Sequence, residues 1–256
     1  MLQPDIAAVA DAIVQARQAR RPADALAFAD HLQSEADSYA VQALVAKYWP
    51  GADSTFPRHW KSGGPSREAQ LTHAPLPLAG VWRSPAVAGN WPFTLRLIEA
   101  EIALRLGRDV TPQQAAASTH EAATSLIDAM AVSIEIVDSR WQQGPAAPAL
   151  LKLADLQSHG ALVLGEWVPF IVRNWSAQTC AVRIGDGTEK QFCGTHSLAD
   201  PGWLLPIWLR HATRDGNTVP AGTVVTTGTW CGMLAAALGD RVVVRFDGVG
   251  EAAVQL

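Results

Sequence analysis

The chain has 256 residues, of which 48% are hydrophobic and 17% charged. That is enough for one sizeable core at the upper edge of a single large domain, and it excludes a disordered chain. A formal net charge of −4 gives no electrostatic footprint for nucleic acid or an anionic membrane.

From Asp5 to about Tyr48 apolar residues recur at helical spacing. Ile6, Val9, Ile13 and Ala16 make a first helix that Arg21-Pro22 ends, and a second stretch, carrying Leu26 to Val45, divides near Asp37. The N-terminal stretch never builds the apolar run of a signal peptide, and no run approaches the ~18 residues of a membrane span. The expectation is a cytoplasmic protein. Residues 49–90 are rich in Pro, Gly and Ser and predict loops and short strands that could line a cleft.

From Phe93 onward the period changes. TLRLIEAEIALRL alternates, placing Leu95, Leu97, Glu99, Glu101 and Ala103 on one face of a strand. Thr111, followed by Pro112 and by Gln114 three residues on, caps a helix expected to run to about Met130. Further strands are predicted at SIEIVDS and GALVLG, in a hairpin through CAVRIGDGTEKQF, and at GTVVTTG and RVVVRFDG; a helix from Gly202 to about His211 interrupts them. Strands and helices that do not alternate regularly predict an α+β fold with a large mixed sheet system. The division expected is a helical and loop region over 1–90 packed on a catalytic mixed β domain over 91–256. Cys180, Cys193 and Cys231 form neither a C-x-x-C pair nor a disulfide framework and read as buried or partly buried thiols.

Glu99-Ala100-Glu101 is the strongest chemical signal. In a strand, residues i and i+2 point to the same side, so both carboxylates converge on one volume. Like charges that close force one group to protonate unless a cation lies between them, and hard oxygen ligands favour Mg²⁺ or Mn²⁺. An exposed strand face with both glutamates in water fits the spacing equally well. Glu135, on a second strand, supplies a third carboxylate for a three-ligand site; the plainer alternative sets Glu135 at a sheet edge. Asp138 is placed to pair with Arg140 or to cap the strand end.

These segments, taken in order, resemble the fumarylacetoacetate hydrolase superfamily, in the branch of 2-oxopent-4-enoate hydratases and 4-oxalocrotonate decarboxylases. SYAVQ (Ser38–Gln42), WKSG (Trp60–Gly63), PLAG (Pro77–Gly80), IEAEIAL (Ile98–Leu104), EIVDSR (Glu135–Arg140) and LADLQSHGALVLG (Leu153–Gly165) follow the family's motifs, and the resemblance runs from about Asp30 to Val254. It implies a mixed β roll with N-terminal helices. It further implies Glu99, Glu101 and Glu135 as metal ligands, Lys61 as an active-site lysine, and Gly228 and Thr229 near a substrate carboxylate. The implied activity is a Mg²⁺- or Mn²⁺-dependent lyase of aromatic meta-cleavage catabolism. It would act on a 2-hydroxydienoate or 2-oxo-alkenoate and work foremost as a hydratase. A decarboxylase, an acylpyruvate C–C hydrolase and a catalytically silent partner subunit are the alternatives. A homo-oligomer, with a hetero-complex with a paralogue as a further possibility, completes what the resemblance implies.

The chain departs from the family pattern at Leu156, where an Asn is usual, at Pro75 and Leu76, where an acidic residue is common, and at His59-Trp60 before the lysine. Among ten tryptophans, Trp60, Trp82, Trp91 and Trp141 fall in expected cleft segments and would suit a bulky substrate, although core positions suit them better. The seven histidines form no H-x-x-x-H pair, and His196 reads as a turn residue rather than a cleft residue.

Overall fold

Two side-chain caps start the N-terminal helices of this computed structural model, which describes residues 5–49 and 56–256. Asp5 caps α1 (Ile6–Ala19), which ends where Arg20 turns left-handed ahead of Pro22. Ser34 opens α2 (Glu35–Ala46) in a capping box with Asp37. The second stretch therefore divides at Ser34, and Asp37 begins the helix instead of breaking it: its carboxylate accepts the Ser34 N–H at 2.9 Å. Part of the expected loop zone, residues 50–55, lies outside the described residues.

Four short strands follow, β1 (His59–Gly63), β2 (Thr72–Pro75), β3 (Val81–Arg83) and β4 (Ala86–Val87), and then the long β5 (Leu97–Leu106). The helix expected from Pro112 to Met130 is two short ones, α3 (Pro112–Ala116) and α4 (His120–Thr124). Thr111 makes the expected capping box with Gln114, but Thr119 caps a second helix three residues after the first ends. Residues from Ile127 onward already belong to β6 (Ile127–Val137). Beyond Asp128 this strand is buried on both faces, so it lacks the alternation that would separate it from a helix.

The remainder comprises α5 (Ala149–Ala154), β7 (His159–Leu164), β8 (Val168–Pro169), β9 (Thr179–Ile184), β10 (Lys190–Cys193), α6 (Leu205–Ala212), β11 (Val224–Thr226), β12 (Leu234–Ala235), β13 (Arg241–Phe246) and β14 (Gly250–Gln255). They complete a nine-stranded mixed sheet in the order β2-β1-β11-β5-β6-β7-β3, with β12 on β5 and β8 on β6, and a five-stranded sheet β10-β9-β13-β14-β4. Strands that precede residue 90 enter both sheets: β1 pairs with β11, β3 with β7 and β4 with β14.

The core lies between the sheets. Ile98, Ile102 and Leu104 of β5 and Ile134 and Ile136 of β6 face Val242, Val244, Phe246 and Val254. Each such side chain contributes roughly 1.5–3 kcal/mol on burial, enough together to offset unfavourable charges on the sheet's opposite face. That opposite face carries Glu99, Glu101 and Glu135. The N-terminal helices close a second cluster around Trp141 with Leu151 of α5. Among the described residues no helix is long and apolar enough to cross a membrane.

Candidate metal centre and active site

Register sets the site. β5 and β6 pair antiparallel with Glu99 opposite Glu135 and Glu101 opposite Ser133, so all three glutamates point to one side. One ligand atom from each of the three lies within 4.8 Å of the others. Two strands away, β1 lies parallel to β11 with Lys61 beside Thr226, and the Lys61 Nζ donates to Glu135 Oε1 at 2.6 Å.

Burial makes this electrostatics expensive. Glu101 and Glu135 are 1% and 0% exposed, so neither carboxylate is solvated by bulk water. Burial pushes the Glu99 carboxyl up to about 8 despite Lys61, with Glu101 and Glu135 adding to the rise. It pushes Glu101 up to about 7, with Glu135 pushing further against the pull of Lys61, Thr226 and the Gly228 N–H. Glu135 behaves oppositely. Burial opposes its charge, but Lys61 and His159 outweigh burial and hold it below the usual carboxylate range. For Lys61 burial works downward, yet Glu135, Glu99 and Glu101 hold the ammonium above its ordinary value.

The donor set fits a hard divalent cation. When all three are ionised, as ligation requires, three carboxylates against one ammonium leave an excess of two negative charges in one buried volume. Glu135 Oε2 is buried with no hydrogen-bond partner. Oxygen-only ligation is the chemistry of Mg²⁺ or Mn²⁺ sites.

Glu99, Glu101 and Lys61 open on a cavity of about 690 Å³. Thr72, Gln157, Gly228 and Thr229 also line it, and Val137, Leu150 and Leu153 form an apolar wall. Gly228 and Thr229 therefore share the cavity with Glu99, Glu101 and Lys61, while Glu135 lies buried behind them. The Gly228 N–H donates to Glu101 Oε2 at 3.1 Å, while the Thr229 hydroxyl donates within its own turn to the Gly232 carbonyl at 3.0 Å. No tryptophan among the described residues lines this cavity. Trp60 and Trp141 are core residues, and Trp82 packs edge-to-face on Trp91 at 5.2 Å.

Several contributors are not evident in the sequence. Thr226 donates to Glu101 Oε2 and meets Ser133 Oγ at 3.0 Å. His159, the first residue of β7, puts Nδ1 at 3.2 Å from Glu135 Oε1. Burial lowers its pKa against the opposing pull of Glu135. Leu156, Gln157 and Ser158 form a left-handed strap with φ of 52°, 54° and 58°. Such residues each cost roughly 1–2 kcal/mol; the turn aims the Gln157 carbonyl at Lys61 Nζ, 3.2 Å away. Asp155 anchors the strap by gripping Arg140, which donates onward to the His159 carbonyl at 2.7 Å. The expected Asp138–Arg140 pairing is a 4.0 Å approach only, because Asp138 instead caps the Thr94–Leu95 turn. His196 is buried, with Nε2 2.8 Å from the Thr227 carbonyl oxygen next to Gly228. Cys180 and Cys231 are buried as expected, but Cys193 is exposed.

A concave pocket with an acidic floor, set on a pair of mixed sheets, has the form usual for small-molecule sites. The chain belongs to the fumarylacetoacetate (FAA) hydrolase C-terminal family, which matches residues 85–256. It is 34% identical over 157 residues to 2-keto-4-pentenoate hydratase 1 of Dechloromonas aromatica (strain RCB), covering 60% of this chain and 57% of that protein. It is 30% identical over 160 residues to 2-keto-4-pentenoate hydratase of Burkholderia vietnamiensis (strain G4 / LMG 22486), covering 60% and 58%. The matches thus span somewhat under three fifths of these relatives' length. The fold is similar to that of 4-oxalocrotonate decarboxylase from Pseudomonas putida G7, complexed with magnesium and adipate. The TM-score is 0.84 at 18% identity, over 100% of this chain and 98% of that one.

Proposed function

We propose that this protein is a Mg²⁺- or Mn²⁺-dependent lyase that hydrates a 2-hydroxydienoate or its 2-oxo-alkenoate tautomer. The observation that carries the reading is the convergence of three buried carboxylates on one side of the sheet, with Lys61 beside them and Glu135 Oε2 unpartnered. The hydratase relatives support the choice of reaction. A cytoplasmic location, expected from the sequence, belongs to the proposal, and so, on the family resemblance, does a homo-oligomer, a hetero-complex with a paralogue being the variant.

Glu99, Glu101 and Glu135 would hold the ion. When bound it would act as a Lewis acid on the 2-oxo and carboxylate oxygens, worth several kcal/mol as enolate charge develops. The chain's own groups do the rest. Ketonisation adds a proton at C5 of 2-hydroxypenta-2,4-dienoate and removes the enol proton, giving 2-oxopent-3-enoate. Water oxygen then bonds to C4, the C3=C4 pair shifts to C2=C3 and the 2-oxygen, and a proton at C3 completes the addition of one H₂O. Lys61, kept protonated by the carboxylates around it, is the group that donates a proton to the carbon skeleton. The Gly228–Thr229 turn, which lines the cavity, would take the substrate carboxylate, and the apolar wall of Val137, Leu150 and Leu153 would take the hydrocarbon end.

The test gives purified protein 2-hydroxypenta-2,4-dienoate and, separately, 2-oxo-3-hexenedioate, each with Mg²⁺ and with EDTA, and follows products by NMR. A 4-hydroxy-2-oxo acid formed from the first only with metal is the expected result. CO₂ release from the second alone would replace hydration by decarboxylation on the same site.

A further inference from the structure

We infer that His159 is a positioning residue that selects which oxygen of Glu135 binds the metal. The inference rests on the metal assignment just proposed. Glu135 Oε1 receives the Lys61 Nζ–H at 2.6 Å and lies 3.2 Å from His159 Nδ1, which donates to it in the tautomer that carries the proton on Nδ1. Oε2 has no partner. A carboxylate held by one donor can rotate about its terminal torsion and exchange its oxygens; a second donor on the same oxygen, from a different strand, fixes the carboxylate plane. Oε1 is thereby committed to the protein, and Oε2 is left as the lone pair source for a cation.

The imidazole is itself held. The His159 backbone carbonyl accepts from Arg140, whose guanidinium is locked by Asp155. The ring lies against the Pro77–Gly80 loop, where a β-carbon on Gly80 would come within 3.6 Å of Nε2. The next residue has to be glycine, since a β-carbon at Gly160 would sit 2.6 Å from the Ile136 carbonyl oxygen, and this close approach of β7 to β6 brings the ring to Glu135. Supporting groups of this kind, which orient a ligand without touching the ion, typically change metal affinity 10- to 100-fold when removed.

The experiment compares wild type, His159→Leu and His159→Asn by calorimetric titration with Mn²⁺ and by thermal unfolding without metal. Asparagine places an amide N–H near the Nδ1 position, whereas leucine has no donor. The expected result is Mn²⁺ affinity about 10- to 100-fold weaker for His159→Leu and restored to within a few fold for His159→Asn, with unfolding midpoints of the metal-free proteins that do not follow that order. Equal affinity in wild type and His159→Leu overturns the inference and leaves the metal site standing, and so does a loss that asparagine does not recover. Failure of wild type to bind Mn²⁺ overturns the metal assignment and this inference with it. If His159→Leu does not fold, nitrogen-15 NMR of the wild-type histidines decides: a proton on Nδ1 of His159 supports the inference, and a proton on Nε2 alone overturns it.

Discussion

Glu101 and Lys61 carry opposite demands at the residue scale. Glu101 is buried and is pushed up to about 7, so in the metal-free protein it is half-protonated near neutrality. With Glu99 pushed up to about 8, both groups bind more protons in the folded than in the unfolded chain between their ordinary 4.5 and those values. Their contribution to stability is therefore full below about pH 4.5 and is lost as pH rises through about 7 to 8. Chemical denaturation of metal-free protein across this window should show wild type losing stability relative to a Glu99→Gln, Glu101→Gln double variant; parallel curves would contradict the raised values. Divalent metal should reverse the loss, because a ligand bound only by the folded state stabilises it. Lys61→Met is expected to fold and to keep its metal while turnover falls roughly 10²-fold or more, the scale of a lost acid–base group. Full activity per folded molecule would make the lysine structural.

At the scale of elements, β5, β6 and β7 bring the site together, and their legibility differed for physical reasons. β5 alternates, so its carboxylate face and its apolar face are both readable from spacing. β6 is buried on both sides, and its first residues carry no alternation to oppose a helical reading. The E-x-E pair with Glu135 was legible; His159 was not, because its partner is reached only through the β6–β7 pairing, which no local spacing encodes. Thr226 is hidden for the same reason, its contact to Glu101 being set by the β11–β5 register. Trp60 and Trp141 fill core, the position that suits their size better than the cleft their loop-rich surroundings also allow, while Trp82 and Trp91 are half-buried. Two substitutions probe this layer. Gly160→Ala forces a β-carbon to 2.6 Å from the Ile136 carbonyl oxygen, so a lowered unfolding midpoint is expected, with a cost of about 1–3 kcal/mol or more. Asp155→Ala leaves the buried Arg140 guanidinium without its partner, and losses of this type run about 3–5 kcal/mol. Urea denaturation of both variants checks the two figures.

For the whole molecule, one large sheet separates two environments. Its inner face packs against the second sheet and supplies the apolar core, while its outer face holds three carboxylates and a lysine under the covering helix α5 and the left-handed strap. The apolar packing on the first face makes an unfavourable charge cluster on the second tolerable, and a divalent cation would neutralise what remains. That cation is the central claim, and a crystal grown with Mn²⁺ tests it most directly through anomalous diffraction. The account predicts a single strong peak among Glu99, Glu101 and Glu135, in bonding range of one oxygen from each, with Glu135 contributing Oε2. No peak at that position, with Lys61 still paired to Glu135 and Mn²⁺ bound elsewhere or not at all, would contradict it.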